Sequence, residues 1–120
     1  MSVRMKELNG GRLLEVHATG KLSRKDYGSL APRVERLIHD HGKIRLLFEM
    51  SDFHGWSPGG LWEDIKFDAK HYADIDRLAL VGDKRWEKLM AGFCSPFTWA
   101  KIRFFDPSEM DKARQWVESN

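Results

Sequence analysis

The chain has 120 residues, 42% of them hydrophobic and 32% charged, so it is long enough to form one domain around one core. Twenty basic and eighteen acidic residues alternate along the chain and leave a formal charge of +2, without the basic stripe that nucleic acid requires. We therefore predict a single domain over residues 1–120 with no nucleic-acid partner.

Cysteine usage and the N-terminal composition indicate a reducing compartment. Cys94 is the single cysteine, so it cannot form an internal disulfide and has no CxxC partner for a zinc site. Residues 1–16 carry charges where a signal peptide needs its apolar region, and no apolar run reaches the ~20 residues of a membrane-spanning helix. The sequence predicts a cytoplasmic protein, which would meet a membrane only peripherally, at its inner face.

A hairpin is predicted at the N-terminus. Extended runs over 2–8 and 12–19 flank the sequence Asn-Gly-Gly at 9–11, and this turn composition between two strands is typical of an antiparallel hairpin. The first two strands should therefore pair antiparallel.

A helix and a buried strand come next. Ser23 and Asp26 have the spacing of a capping box, and apolar residues then recur at helical spacing until Gly42. The apolar run over 44–50 is predicted to be a central strand that ends in a loop over 51–56. Because a helix connects them, this strand should lie parallel to the one before the helix.

The second half of the chain alternates helices and strands. Further strands are predicted over 77–81 and 100–105, and further helices over 58–72, over 84–94 and from 107 onward. The resulting order, β-β-α-β-α-β-α-β-α, predicts an α/β fold.

Four stretches resemble the SpoIIAA-like family of bacterial proteins, which share the fold of the STAS domains: LLFEMSDFHGW, GGLWEDIKFD, RLALVGDKRWE and FFDPSEMDKARQW. The resemblance covers nearly the whole chain and implies a mixed sheet of four to five strands with helices mainly on one face. It also implies binding of small apolar molecules and association with membranes.

One departure from this resemblance bears on regulation. In the anti-sigma factor antagonists of the same fold, a motif like DSSGL carries a phosphorylated serine at the start of the second helix. This chain has WSPGGL there, with Pro58 in place of that serine and Ser57 in place of the aspartate. Ser57 is left as the candidate regulatory residue, and a regulatory protein-interaction module of this type is the alternative function.

The chain is rich in aromatic and apolar residues in and beside the two predicted helices at 58–72 and 84–94. Such a surplus indicates a ligand pocket, a membrane-facing patch, a dimer interface or ordinary core. The main hypothesis is a non-enzymatic binding module for a small apolar molecule or lipid. Its predicted ligand residues are Trp56, Leu61, Trp62, Ile65, Trp86, Leu89, Met90 and Phe93.

Catalytic chemistry has little support in the sequence. No acid, base and nucleophile can be assembled with assigned roles, and no phosphate-binding glycine motif is present. Asp64, Asp68 and His71 share one helical face, but a solvated face interspersed with lysines explains them better than a metal site. No catalytic residue, cofactor or metal is predicted, and a homodimer is the default expectation from base rates.

Overall fold

The computed structural model of the protein describes residues 3–56, 74–82 and 102–119, with the backbone alone at residues 22 and 51–56. Its strands are β1 (Val3–Leu8), β2 (Leu13–Leu22), β3 (Ile44–Trp56), β4 (Ile75–Val81) and β5 (Ile102–Phe105). Its helices are the first helix (Arg24–His41) and the C-terminal helix (Met110–Glu118), which follows a 3₁₀ turn at Pro107–Glu109. Neither of these described helices is long and apolar enough to cross a membrane.

All five strands join one sheet, in the same order as they occur in the chain. β1 pairs antiparallel with β2, and every later strand pairs parallel with the strand before it. This mixed five-stranded sheet confirms the predicted α/β fold. The predicted helices over 58–72 and 84–94 lie outside the described residues.

The predicted hairpin is confirmed, and its turn explains the two glycines. Asn9, Gly10 and Gly11 have φ angles of 53°, 68° and 98°, a left-handed backbone that glycine adopts at little cost. A Cβ at Gly11 would lie 2.6 Å from Nε2 of His41, so a larger residue would displace this side chain at the end of the first helix. The turn places Leu8 opposite Leu13 and sets the register of the antiparallel pair.

Both ends of the first helix follow the predicted signals. The backbone N–H of Asp26 donates to Ser23 Oγ at 3.3 Å, and the backbone N–H of Ser23 donates to Asp26 Oδ2 at 2.8 Å, which completes the capping box. The helix ends at Gly42, whose N–H donates to the carbonyl of Ile38 at 2.8 Å. Its buried side chains are Tyr27, Leu30, Val34 and Leu37.

β3 is longer than the sequence predicted. The strand was expected to end at residue 50 in a loop over 51–56, but it continues to Trp56. The loop prediction is wrong because this segment pairs with the end of β2, where Leu22 lies opposite Trp56. Shifts of register in the pair, one of them beside Gly20 at φ 63°, let the polar segment stay in the sheet.

The two described helices cover opposite faces of the sheet. On the first-helix face, the buried cluster includes Leu14, Val16, Leu46, Met50, Leu78, Leu80 and Ile102. On the C-terminal-helix face, it comprises Leu13, Leu47, Ala79, Val81 and Phe105 with Ala113 and Val117 of the helix. Alternation along each strand produces this division. The family resemblance implies that helices lie mainly on one face of the sheet. This expectation concerns segments 57–73 and 83–101, which lie outside the described residues.

Candidate functional site

The residues predicted to bind an apolar ligand fall mostly outside the described part of the chain. Trp56 ends β3, and its backbone lies opposite Leu22 at the carboxyl edge of the sheet. The remaining predicted ligand residues and Ser57 lie outside the described residues: Leu61, Trp62, Ile65, Trp86, Leu89, Met90 and Phe93. Of these predicted residues, the structure therefore describes the backbone of Trp56 alone.

An apolar row crosses the first-helix face of this sheet from β3 to β5. Phe48 is the register partner of Leu80, and Leu80 is the register partner of Phe104. Leu80 is buried, whereas both phenylalanines are half-buried and pack at the margin of the core. The first helix lies over β2 and β3, so this phenylalanine row extends the apolar face beyond it.

A polar cluster occupies the opposite, C-terminal-helix face. Nη2 of Arg114 donates to Glu15 Oε1 at 2.8 Å, and Nε2 of His17 lies 2.9 Å from the same oxygen. The other ring nitrogen of His17, Nδ1, lies 3.2 Å from Oε2 of Glu49. We call these four residues the Glu15 cluster. It joins β2, β3 and the C-terminal helix.

Strand geometry brings the cluster together. Glu15 and His17 are two residues apart on β2, so their side chains point to the same face. Glu49 is the register partner of His17 on β3, and Arg114 reaches Glu15 from the C-terminal helix. Within residues 3–56, 74–82 and 102–119, no group of His, Cys, Asp or Glu side chains could hold a metal ion.

Glu15 is buried and charged. Only 2% of the residue is exposed, and this burial raises the pKa of its carboxyl. Hydrogen bonds from Arg114 and His17 act more strongly in the other direction, so the net pKa of Glu15 is lowered. The hydrogen bond to Glu15 likewise raises the pKa of Arg114. The carboxylate and the guanidinium therefore stabilise each other's charged form.

Arginines from the sheet hold the end of the C-terminal helix. Nη1 of Arg45 donates to the carbonyl of Val117 at 2.8 Å, and Nη1 of Arg77 donates to the carbonyl of Trp116 at 2.6 Å. The Arg77 guanidinium also lies 5.3 Å from the centre of the Trp116 ring. Arg45 and Arg77 are register partners, so two like charges face each other across β3 and β4. Asp76 Oδ2, which accepts from Nε of Arg45 at 3.2 Å, and the partial negative charge of the helix end compensate for their repulsion.

The comparisons with known proteins agree with this architecture. A model of the SpoIIAA-like family matches residues 13–118. The chain belongs to the SpoIIAA-like family. The crystal structure of an uncharacterised DUF3478-family protein with a SpoIIAA-like fold, from Shewanella loihica PV-4, matches with a TM-score of 0.76 and 23% identity. The match covers 96% of this chain and 91% of the other, and at this identity it shows the fold alone. No curated protein matches the sequence.

The Glu15 cluster of this SpoIIAA-like protein was not predicted from its sequence. A signal was present, because Glu15, His17 and Glu49 are ionisable residues on strands that are otherwise mostly apolar. Alternation also predicts that Glu15 and His17 share a face. Nothing in the local sequence indicated Arg114, which lies 99 positions from Glu15.

Proposed function

We propose that this SpoIIAA-like protein is a non-enzymatic binding module for a small apolar molecule or lipid. The observation that carries the proposal is the phenylalanine row, in which half-buried Phe48 and Phe104 flank Leu80 on three adjacent strands. Ligand sites are lined mainly by apolar and aromatic side chains. The row supplies such a lining at the margin of the core.

The order of the strands supports placing the ligand on the first-helix face. The chain crosses the sheet in one direction, from β2 to β3, from β3 to β4 and from β4 to β5. The right-handed crossover rule therefore predicts that all three connections lie on one face of the sheet. The two later connections contain, in sequence, the predicted ligand residues within 61–65 and 86–93. The phenylalanine row is then the floor of the proposed site.

Native mass spectrometry of the protein purified from cells is the direct test of the proposal. We expect a mass above that of the polypeptide, and a fatty acid or other apolar molecule after denaturing extraction. A polypeptide-only mass that does not change on addition of lipid would reject the binding function and leave the row as ordinary core.

Substitution of Phe104 tests whether the phenylalanine row forms the floor of the proposed ligand site. We expect Phe104→Ala to weaken binding of a fluorescent fatty acid about five- to thirtyfold, because it removes roughly 1–2 kcal/mol of apolar contact. Met5→Ala is the matched control, since Met5 also packs at the margin of the same core but lies on β1. Equal loss of binding in both variants, or no loss in either, contradicts this position for the ligand.

We further propose that the carboxyl edge of the sheet meets an anionic membrane surface. Lys21 near the end of β2 and Lys25 in the first turn of the first helix are both exposed there. Basic side chains near an anionic bilayer each contribute about 1 kcal/mol to binding. A protein held in this way at the surface can exchange an apolar ligand with the bilayer.

Charge reversal at the two ends of the sheet tests the membrane contact. We expect Lys21→Glu to reduce binding to phosphatidylglycerol vesicles at least about fivefold, since each basic residue contributes ~1 kcal/mol. Lys43→Glu makes the same change in charge at an exposed residue beside the amino end of β3 and should bind normally. Sedimentation with vesicles measures both variants. Similar losses in the two would indicate a general effect of net charge and reject a specific edge.

A further inference from the structure

A small cavity lies at the amino end of the parallel strands, beside the end of the C-terminal helix. Its volume is about 260 Å³, whereas sites for drug-sized ligands typically enclose about 300–1,000 Å³. Among its described lining residues, Leu13 alone is apolar. This amino-end cavity therefore suits a small polar ligand, and in this respect it differs from the phenylalanine row.

The backbone around the amino-end cavity is held by the sheet. Arg12 directly precedes β2 and Lys43 directly precedes β3. The backbone N–H of Arg45 donates to the carbonyl of Arg12 at 2.9 Å, and the backbone N–H of Ile44 donates to the carbonyl of Asp74 at 3.1 Å. The segments that lead into β2, β3 and β4 are thus joined before any ligand binds, which lowers the entropy cost of binding.

The cations that line the cavity differ in their partners. Arg45 is already engaged, because its Nε donates to Asp76 Oδ2 at 3.2 Å and its Nη1 donates to the carbonyl of Val117 at 2.8 Å. Among the residues that the structure describes, the side chains of Arg12 and Lys43 form no hydrogen bond or ion pair. Both are exposed at the cavity. Two cationic side chains are therefore available to a ligand there.

We propose that the amino-end cavity binds the phosphate group of a small soluble phosphate monoester. Arginine offers a planar fork of donors and lysine a compact charge, and both are common ligands of phosphate oxygens. A phosphate monoester carries a charge of about −1.5 to −2 at pH 7, so the two available cations, Arg12 and Lys43, match it more closely than they match a carboxylate. The side-chain amide of Asn9, which also lines the cavity, adds a neutral donor.

Two carboxylates in the lining oppose an anion, and the proposal takes both into account. Asp76 is hydrogen-bonded to Arg45, so these two charges offset each other. Glu118 is exposed and lies four residues after Arg114 on the C-terminal helix, a spacing at which opposite charges attract. The charged lining residues together leave one net positive charge. Removal of the Glu118 charge should therefore strengthen phosphate binding.

An NMR titration of the full chain with methyl phosphate, at constant ionic strength, tests the site. We expect the backbone amide resonances of Arg12, Lys43 and Arg45 to shift together, with half-saturation at about 1 mM or below. Acetate at the same ionic strength should bind at least about fivefold more weakly, because it carries a single charge. The proposal is overturned if these resonances do not respond to methyl phosphate or respond equally to acetate.

Charge substitutions at three exposed residues give the second arm of the experiment. We expect Lys43→Gln to weaken binding of methyl phosphate about fivefold or more, and Glu118→Gln to strengthen it about twofold or more. Lys25→Gln is the matched control, since it removes the same charge at the opposite end of the sheet and should leave binding unchanged. Equal losses in the two lysine variants would indicate a general effect of net charge and overturn the site.

Vesicles containing phosphatidic acid separate a soluble phosphate from a lipid head group. The amino-end cavity lies at the end of the sheet opposite Lys21, where we place the membrane contact. Lys43→Gln should therefore sediment with these vesicles as the unmodified chain does. Loss of vesicle binding in this variant, without any response of the unmodified chain to methyl phosphate, would assign the cavity to a lipid and overturn the soluble ligand. Neither result depends on whether an apolar molecule binds at the phenylalanine row.

Discussion

At the scale of single residues, the stability of the protein depends on the charge of the buried Glu15 side chain. Burial raises the pKa of Glu15, but hydrogen bonds from Arg114 and His17 lower it further, and the net shift is downward from 4.5. A lowered pKa means that the folded protein favours the carboxylate. The resulting stabilisation is present above the ordinary pKa of the group and is lost as the pH falls through the pKa of the folded state.

We expect Glu15→Gln to make the free energy of unfolding depend less on pH in the acid range. The free energy of unfolding of the parent should decrease between about pH 5 and pH 3, and that of the variant should decrease less, because one group with a lowered pKa is absent. Urea unfolding at a series of pH values measures both. Asp111→Asn is the control, since 94% of the Asp111 side chain is exposed. A parent-like slope in Glu15→Gln would show that folding does not lower the pKa of Glu15.

Local residue patterns were predictable, whereas the long-range polar contacts were not. Ser23, Asp26 and Gly42 could be assigned as helix caps because a cap depends on neighbouring positions alone. The contact of His17 with Glu49 spans 32 positions and depends on strand register. Register of this kind depends on the whole sheet, so the sequence indicated the ionisable residues without their partners.

At the scale of elements, the first helix contains an internal proline. Pro32 is exposed within Arg24–His41, where it cannot donate a hydrogen bond to the carbonyl of Gly28 and its ring crowds that carbonyl. The cap at each end and the buried face of the helix offset this local cost.

We expect Pro32→Ala to stabilise the protein by about 1–3 kcal/mol, because alanine restores the missing donor and removes the ring. Thermal or urea unfolding measures the change. Ser29→Ala is the control at another exposed position of the same helix and should change stability by less than about 0.5 kcal/mol. A loss of stability in Pro32→Ala would mean that the stiffness of proline in the unfolded chain outweighs the missing hydrogen bond.

Most described elements were predicted in the right order, and the largest error was at the end of β3. Ser51, Asp52, His54 and Gly55 are typical loop residues, so composition predicted a loop over 51–56. Pairing with residues 19–22 of β2 overrides that preference. Strand propensity depends strongly on the neighbouring strand, which the local sequence does not specify.

At the scale of the whole molecule, the sheet needs cover on both faces. The C-terminal helix covers Leu13, Leu47 and Ala79 on the face opposite the first helix. The sequence predicted this helix and its apolar side, but not the face on which it packs. Its position depends on which way the chain turns after β5, and the capping signals at 106–109 fix only where the helix begins.

We expect Val117→Asn to loosen the C-terminal helix and destabilise the protein by about 2 kcal/mol or more, because a polar amide replaces a fully buried side chain. Binding of an apolar dye should increase as the sheet face becomes exposed. Gln115→Asn places the same residue on the exposed side of the helix and should leave both measurements nearly unchanged. Parent-like stability in Val117→Asn would show that the polar contacts alone hold the helix.

The strands of the described sheet lie side by side in the order in which they occur in the chain, and this order affects folding during synthesis. Each strand of the described sheet pairs with the one made just before it, so no strand must wait for a distant segment of the nascent chain. Domains fold as units during translation, starting from the N-terminal side. We expect neighbouring strands to pair in chain order as the ribosome releases them, before the domain folds as a unit. Among the described elements, the C-terminal helix covers the face that bears Glu15, so we expect a translational pause before this helix emerges to leave Leu13 and Leu47 accessible to chaperones.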